Sequence, residues 1–480
     1  MKEGLMEALK HVDTSDWAEL HCEYGAEELQ VRVPPGFQEI VMGEIQPLDD
    51  PQGEIESALD HPMGTKKLDE LIKAKGISPR DMKVAITVSD ITRPVPYRGE
   101  KGILKSLLKR LEHEGVQRAH ITIVVGNGTH RPSTEDEKIR IFGGEVLSGG
   151  YPIIDHRCED KGMMVKVGTT ESGTLVYVNK YFVQADLKIA TGLVESHFMA
   201  GVSGGGKAIC PGLVDLQTIQ KFHGPEFLES PYATHLVLEG NPCYKEASEV
   251  AQRVGVDFIV NVTLDKDLRL TGVFAGDLVE AHNAAVQRIR TYVEVPIEEE
   301  SDIVLTHGGY VGLNHYQTAK AAVGAIPAVK QDGIMIIAAH NRDAEPIGGP
   351  EYKTLTHLLK LQGPEEYVSI LRQPEWTFVK DQWEPEVWAR ALRKVGQRGL
   401  IYCTTDIPRA DFMLLPGVSG YTFLTPEQEE QQEGIAAVQR MVQNAVIWAV
   451  YQRQEAGIKP TLAFIREGPY AVPTLRSRGR

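Results

Sequence analysis

The 480-residue chain predicts an α/β protein of two α/β domains. Short apolar runs alternate with amphipathic stretches, the pattern of strands and helices in turn. Several apolar runs end in polar or glycine-bearing turns of the kind found at strand exits. An acidic, proline-led segment near residue 296 marks a break between two such series.

The elements follow in order. Val84-Ala-Ile-Thr-Val88 predicts a strand ending at Ser89-Asp90. Gly102 to Glu114 predicts a helix, with Ile103, Leu107, Leu108 and Leu111 on one face. Ala119 to Val125 predicts the next strand and Gly126-Asn-Gly-Thr-His130 its exit loop. Leu187-Lys-Ile-Ala190 starts a buried strand running into Gly192, and a helical stretch is expected from Leu213. After the Pro296–Ser301 linker, strands are expected at Asp302–Thr306, Gly333–Ala339, Leu400–Cys403 and Phe412–Leu415. A long helix is expected over Glu427–Arg453, and the basic tail Arg476–Arg480 reads as a frayed end. The domains are placed at 1–296 and 297–480, with the option that the C-terminal tail packs back on the first.

Composition excludes several function classes. A formal net charge of −15 argues against a nucleic-acid partner, which normally meets a basic surface. No apolar run approaches the ~18 residues of a membrane span, and the first residues lack a signal-peptide core. The five cysteines are scattered without C-x-x-C spacing, which suits reduced thiols in a cytoplasm.

Five groups carry chemistry. Ser89-Asp-Ile-Thr-Arg-Pro-Val-Pro96 offers Asp90 and Arg93 on a loop stiffened by two prolines, suited to a ribose hydroxyl and an anion, or to a local ion pair. His130 follows a Gly-x-Gly turn, where an imidazole serves either as acid/base or as a structural group. Glu195 to Gly212 sets His197 ten residues before Lys207, which closes Gly204-Gly-Gly206. Gly201 to Lys207 reads G-x-x-x-x-G-K, but Ala208 stands where a P-loop needs a hydroxyl for Mg²⁺. The loop is therefore expected to cradle a phosphate without transferring it. His223, in Phe-His-Gly-Pro, is a candidate ligand for a metal held mostly by an organic cofactor. Finally, Tyr316, Gln317 and Lys320 fall within about one helical turn and together could grip a carboxylate and a hydroxyl. Asp90, His130 and His197 all follow predicted strands, so one cleft at the strand ends could collect them.

These motifs, in this order from about Val84 to Lys320, resemble the nickel-pincer lactate racemase family of 2-hydroxyacid racemases and epimerases. The matching patterns are Asp-Ile-Thr-Arg-Pro, Gly-x-x-His-Arg-Pro, Glu-x-His-x-x-Ala-Gly-x-Ser-Gly-Gly-x-Lys and Tyr-Gln-x-x-Lys. The resemblance implies an active site in the cleft between the two domains. It implies a nickel-pincer nucleotide, a Ni(II) pyridinium-3,5-bisthiocarboxylic acid mononucleotide tethered to Lys207, with His223 as the protein's nickel ligand. Asp90, Ile91, Thr92 and Arg93 would seat that cofactor. His130 and His197 would be the acid/base pair, and Arg93, Tyr316, Gln317 and Lys320 would hold the 2-hydroxy acid. Cofactor-synthesis proteins would be needed for maturation. Two other readings stand beside it: a nucleotide-dependent kinase or ATPase using the Gly201–Lys207 loop, and a non-catalytic carrier of the cofactor.

Overall fold

β-Branched residues crowd the first strand of one of the chain's two six-stranded sheets, and both of its faces are covered. In the computed structural model, which describes residues 1–431 and 433–476, five of the six residues of Val84–Ser89 are buried. Such a strand belongs at the centre of a parallel sheet, where neither face meets water. It does so here. We label the strands of this sheet β1 (Val84–Ser89), β2 (Ile121–Gly126), β3 (Ile153–Asp155), β4 (Leu187–Leu193), β5 (Phe258–Leu264) and β6 (Leu270–Gly276). Their spatial order is β6-β5-β4-β1-β2-β3. All neighbours are parallel except β5 and β6. The helix Ile103–His113 lays Ile103, Leu107, Leu108 and Leu111 into the core beside Ile86, Val88 and Ile123. Parallel pairing puts the carboxyl ends of β1, β2 and β4 on one edge, and that edge carries the candidate residues.

This sheet lies in the unit Glu44–Tyr292. The other unit joins Met1–Gly43 to Val293–Arg480. Its six-stranded sheet runs, in spatial order, Val418–Ser419, Leu400–Cys403, Val329–Ala338, Ser301–His307, Leu462–Ile465 and Gln38–Ile40, all parallel. The edge strand at Gln38 thus comes from the opposite end of the chain. A hairpin, Ala18–Tyr24 with Glu27–Val33, belongs to this unit too. Its second strand does not stay open: Gln439 accepts from the Gln30 amide at 3.2 Å, and Gln443 bonds both backbone groups of Arg32 at 2.7 and 3.0 Å. Two glutamines on one helix therefore satisfy a strand edge that would otherwise invite pairing.

Several expectations change. Residues 1–43, placed by sequence in the first domain, join the second unit, because a three-residue strand carries too little periodicity to announce its partner. The expected linker at Pro296 is a strand, Glu294–Ile297, paired with Val472–Leu475; Pro296 has no amide to donate, which a two-stranded ribbon tolerates. Phe412–Leu415 is not a strand. Arg409–Met413 forms a 3₁₀ helix in which Phe412 is buried and Met413 is exposed, and Leu415 is buried just beyond its end. The long helix starts at Gly434, not Glu427, because Gly434 sits at φ 71°, outside helical space, and it ends at Glu455. The basic tail beyond Arg476 lies outside the described residues. No helix among the described residues is long and apolar enough to cross a membrane. All five cysteines are buried and none is in a disulfide.

Candidate active site

At the exit of β1 the chain turns on Asp90. Its Oδ1 accepts from the Thr92 amide at 3.1 Å and the Thr92 hydroxyl at 2.6 Å. Its Oδ2 faces His130 Nδ1 at 2.7 Å. Asp90 is buried, while the His130 side chain, delivered by the exit of β2, is half exposed. Burial pushes the Asp90 carboxyl up, but the bond and charge of His130, with the two bonds from Thr92, outweigh it. The carboxyl ends below its ordinary value and is ionised at neutral pH. Ile91 is exposed on the same turn. Arg93 is ion-paired with Glu195, which ties the β1 loop to the segment after β4.

His197 sits in that segment. Ser196–His197 pairs antiparallel with Gly201–Val202. The intervening turn folds back on the imidazole, so that the Met199 and Ala200 amides both donate to Nδ1 at 3.2 Å. The ring is buried and stacks on Phe198 at 4.9 Å. Gly201 makes the turn possible: its φ is 78°, and a Cβ there would lie 2.3 Å from the Val237 carbonyl oxygen.

The glycine loop departs from expectation. Its glycines serve close packing, and two of its amides are already bonded inside the protein. A Cβ on Gly205 would meet the His282 ring at 2.7 Å, and one on Gly206 the Ala247 carbonyl oxygen at 2.7 Å. The Gly205 amide donates to Asn261 Oδ1 and the Lys207 amide to the Gly204 carbonyl, both at 3.0 Å. The loop runs into a four-residue 3₁₀ helix, Gly205–Ala208. A P-loop instead opens a full helix whose first amides and dipole face the phosphate. Two of the amides that a phosphate cradle would use are therefore already engaged, which counts against the kinase reading.

What the loop does deliver is Lys207. Its Nζ stands 5.9 Å from the centroid of the Phe222 ring. The next residue, His223, packs edge-on against the same ring at 5.0 Å. Asp215 caps the helix Leu216–Phe222 by accepting from the Thr218 amide at 3.2 Å, and His223 closes it. The helix starts at Leu216 rather than Leu213 because this cap fixes its first turn. Burial, then the charges of Lys207 and His130, hold His223 down at about 3, so its imidazole is neutral at pH 7. That is the state a metal ligand needs. Among the described residues no cluster of three or more His, Cys, Asp or Glu side chains could hold a metal by itself. One neutral imidazole beside a lysine suits a metal brought in by an organic group that supplies most of the ligands.

The remaining candidates lie in the other unit. Tyr316, Gln317 and Lys320 share the helix His315–Ala325, capped by Asn314, which accepts from the Gln317 amide at 2.9 Å. Tyr316 Oη accepts from the Trp383 indole at 3.0 Å. Burial, with Glu384 and Asp381 nearby, raises its phenol well above the ordinary value. Sequence missed Glu384. Burial pushes its carboxyl up to about 8, against the pull of Lys320 and with a push from Asp381. No spacing marks it, since Lys320 is 64 positions away in sequence. Glu195 was legible, two residues before His197 in the quoted motif, but its pairing with Arg93 was not.

Similarity to known proteins agrees with this geometry. Residues 24–235 match the lactate racemase N-terminal domain, and residues 297–410 the lactate racemase C-terminal domain. The chain is 34% identical over 343 residues to a lactate racemase of Lactiplantibacillus plantarum, covering 71% of this chain and 77% of that one. It is 31% identical over 340 residues to a lactate racemase of Thermoanaerobacterium thermosaccharolyticum, covering 70% and 76%. The solved lactate racemase apoprotein from the latter organism superposes with a TM-score of 0.77 at 27% identity, over 96% of this chain and all of that one. A Thermotoga maritima protein shares the fold, with a TM-score of 0.60 at 16% identity over 91% of this chain. The chain belongs to the lactate racemase family and is an isomerase.

Proposed function

We propose that this chain racemises or epimerises a small 2-hydroxy acid with a nickel-pincer nucleotide bound in the unit Glu44–Tyr292. The observation that carries the proposal is a neutral His223 sharing one aromatic ring with Lys207, close enough to the Asp90–His130 pair to feel the His130 charge. When bound, the nucleotide supplies an electrophile that accepts the C2 hydrogen as hydride. The chain's residues do the rest. Lys207 tethers the group and His223 ligates its nickel. Asp90, Ile91, Thr92 and Arg93 seat it. His130 and His197 move the hydroxyl proton on the two faces of C2, which spares the protein from removing a weakly acidic C–H proton. Arg93 meets the substrate carboxylate through charge and directed donors, and Tyr316, Gln317 and Lys320 are the substrate-binding candidates of the other unit. Five cysteines outside any disulfide fit a reducing cytoplasm, and proteins that build the nucleotide are required for maturation.

The test uses protein made alongside the cofactor-synthesis enzymes. Intact mass should show a nucleotide-sized adduct that Lys207→Ala abolishes, with close to one nickel per chain that His223→Ala loses. Substrate deuterated at C2 should keep its label in the product. Wash-out of the label into water, or full activity with Lys207 unmodified, would overturn the proposal. Stereochemical inertness of fully loaded protein toward 2-hydroxy acids would favour the carrier reading instead.

A further inference from the structure

The two histidines proposed as proton carriers are held by opposite chemistry. Asp90 is acceptor-only: Oδ1 is occupied by two donors of Thr92, and Oδ2 faces His130 Nδ1 at 2.7 Å. An ionised carboxylate has no proton to give, so His130 Nδ1 must carry one. The lone pair is then on Nε2. At His197 the partners are two backbone amides, Met199 and Ala200, both at 3.2 Å from Nδ1. Amides only donate, so this Nδ1 must present its lone pair, and a neutral ring carries its proton on Nε2.

We infer that His130 and His197 rest in opposite tautomers, the first ready to accept a proton at Nε2 and the second ready only to donate a hydrogen bond there, and that Asp90 is the positioning residue that sets the first. The consequence for turnover rests on the function proposed above. His130 can take the substrate hydroxyl proton at once: the O–H bond breaks, an Nε2–H bond forms, and the imidazolium is balanced by Asp90. His197 cannot gain a second proton without setting Nδ1–H against two N–H donors. It accepts a proton only after the turn 198–200 lets go of its ring, which forfeits two hydrogen bonds. The enantiomer whose hydroxyl faces His197 therefore meets a slower first step. For a racemase the equilibrium constant is one, so kcat/KM is equal in both directions. The asymmetry shows as unequal kcat and KM values.

The deciding experiment needs no cofactor. Apo-protein labelled with nitrogen-15 histidine is examined by long-range proton–nitrogen correlation at about pH 8, above the usual histidine range. His130→Gln and His197→Gln assign the two signals. His130 should show the Nδ1–H pattern and His197 the Nε2–H pattern. In Asp90→Asn the Thr92 donors keep the amide oxygen where Oδ1 was, so the amide nitrogen faces His130 and forces its proton to Nε2. The His130 pattern should flip, and the loaded variant should lose on the order of 10²- to 10⁴-fold in rate, the range from a lost acid/base group to a triad histidine given the wrong tautomer. An Nε2–H pattern at His130 in the wild-type protein, an Nδ1–H pattern at His197, or no change on Asp90→Asn each overturns the inference. Correct tautomers in a protein that converts no 2-hydroxy acid when loaded would leave the inference standing and remove the function.

Discussion

Each of the two six-stranded sheets has a histidine at a strand exit, and the two have opposite fates. His130, after β2, is half exposed and bonded to an ionised carboxylate. His307, at the end of Ser301–His307, is fully buried and bonded only to backbone: Nε2 donates to the Arg466 carbonyl at 2.6 Å and Nδ1 accepts from the Gly309 amide at 3.1 Å. Burial drives His307 down to about 4, against a small upward push from that carbonyl. Position at a strand end does not make a histidine reactive. A charged partner within hydrogen-bond reach, with access to a ligand, does. Sequence places both rings behind strands and cannot tell which one finds the aspartate.

Substitutions can break that contrast. The largest effect should come from His130→Ala, which should cost on the order of 10²-fold or more in kcat, the scale of a positioned acid/base group, with little change in Tm. A variant that unfolds instead would show that His130 is as structural as His307. Next, His307→Gln should lower stability by about 1–3 kcal/mol, the cost of leaving buried donors and acceptors unmade, as read by denaturant titration. Its activity per folded molecule should hold.

The pH dependence sharpens the same point. A buried histidine kept neutral in the fold takes up its proton in the unfolded chain first. His307 and His156 fall from 6.5 to about 4 and His315 to about 3, in each case with burial as the leading cause. Their contribution is complete above pH 6.5 and is lost as pH falls through about 4 toward 3. Thermal melts should therefore drop steeply across this window, and His307→Gln should flatten part of the drop. An unchanged slope would mean that His307 is not the neutral buried group described. The smallest effect belongs to the residue next to the site. Arg131, itself exposed, bonds both oxygens of the largely covered Glu137 carboxylate, at 2.7 and 2.8 Å. Arg131→Ala should change stability by at most about 1 kcal/mol and leave the rate alone. A large loss of rate would move Arg131 into the site.

The sheet beneath the site was legible because its strands are long and apolar: β1, β2 and β4 fall within a few residues of where their patterns place them. The motifs were legible as residue types at fixed offsets. What could not be read is pairing across distance. Nothing in Arg93 names Glu195, and nothing in the three glycines says that they clear space for His282 and for the Ala247 carbonyl rather than for an anion. Short elements failed for a related reason. Gln38–Ile40 and Glu294–Ile297 offer three and four residues, too few for a period, and their identity as strands depends on partners at the far end of the chain.

That dependence orders the molecule in time. A ribosome releases Gln38–Ile40 hundreds of residues before Leu462–Ile465, the strand it must lie beside. The middle unit, Glu44–Tyr292, has all six strands of its sheet in hand long before the chain is finished and can close during synthesis. The unit built from both ends must wait, with its first hairpin held without the helix whose Gln439 and Gln443 later seal its edge. Nascent chains arrested after residue 300 should thus protect the middle unit from protease while the first 43 residues are still cut.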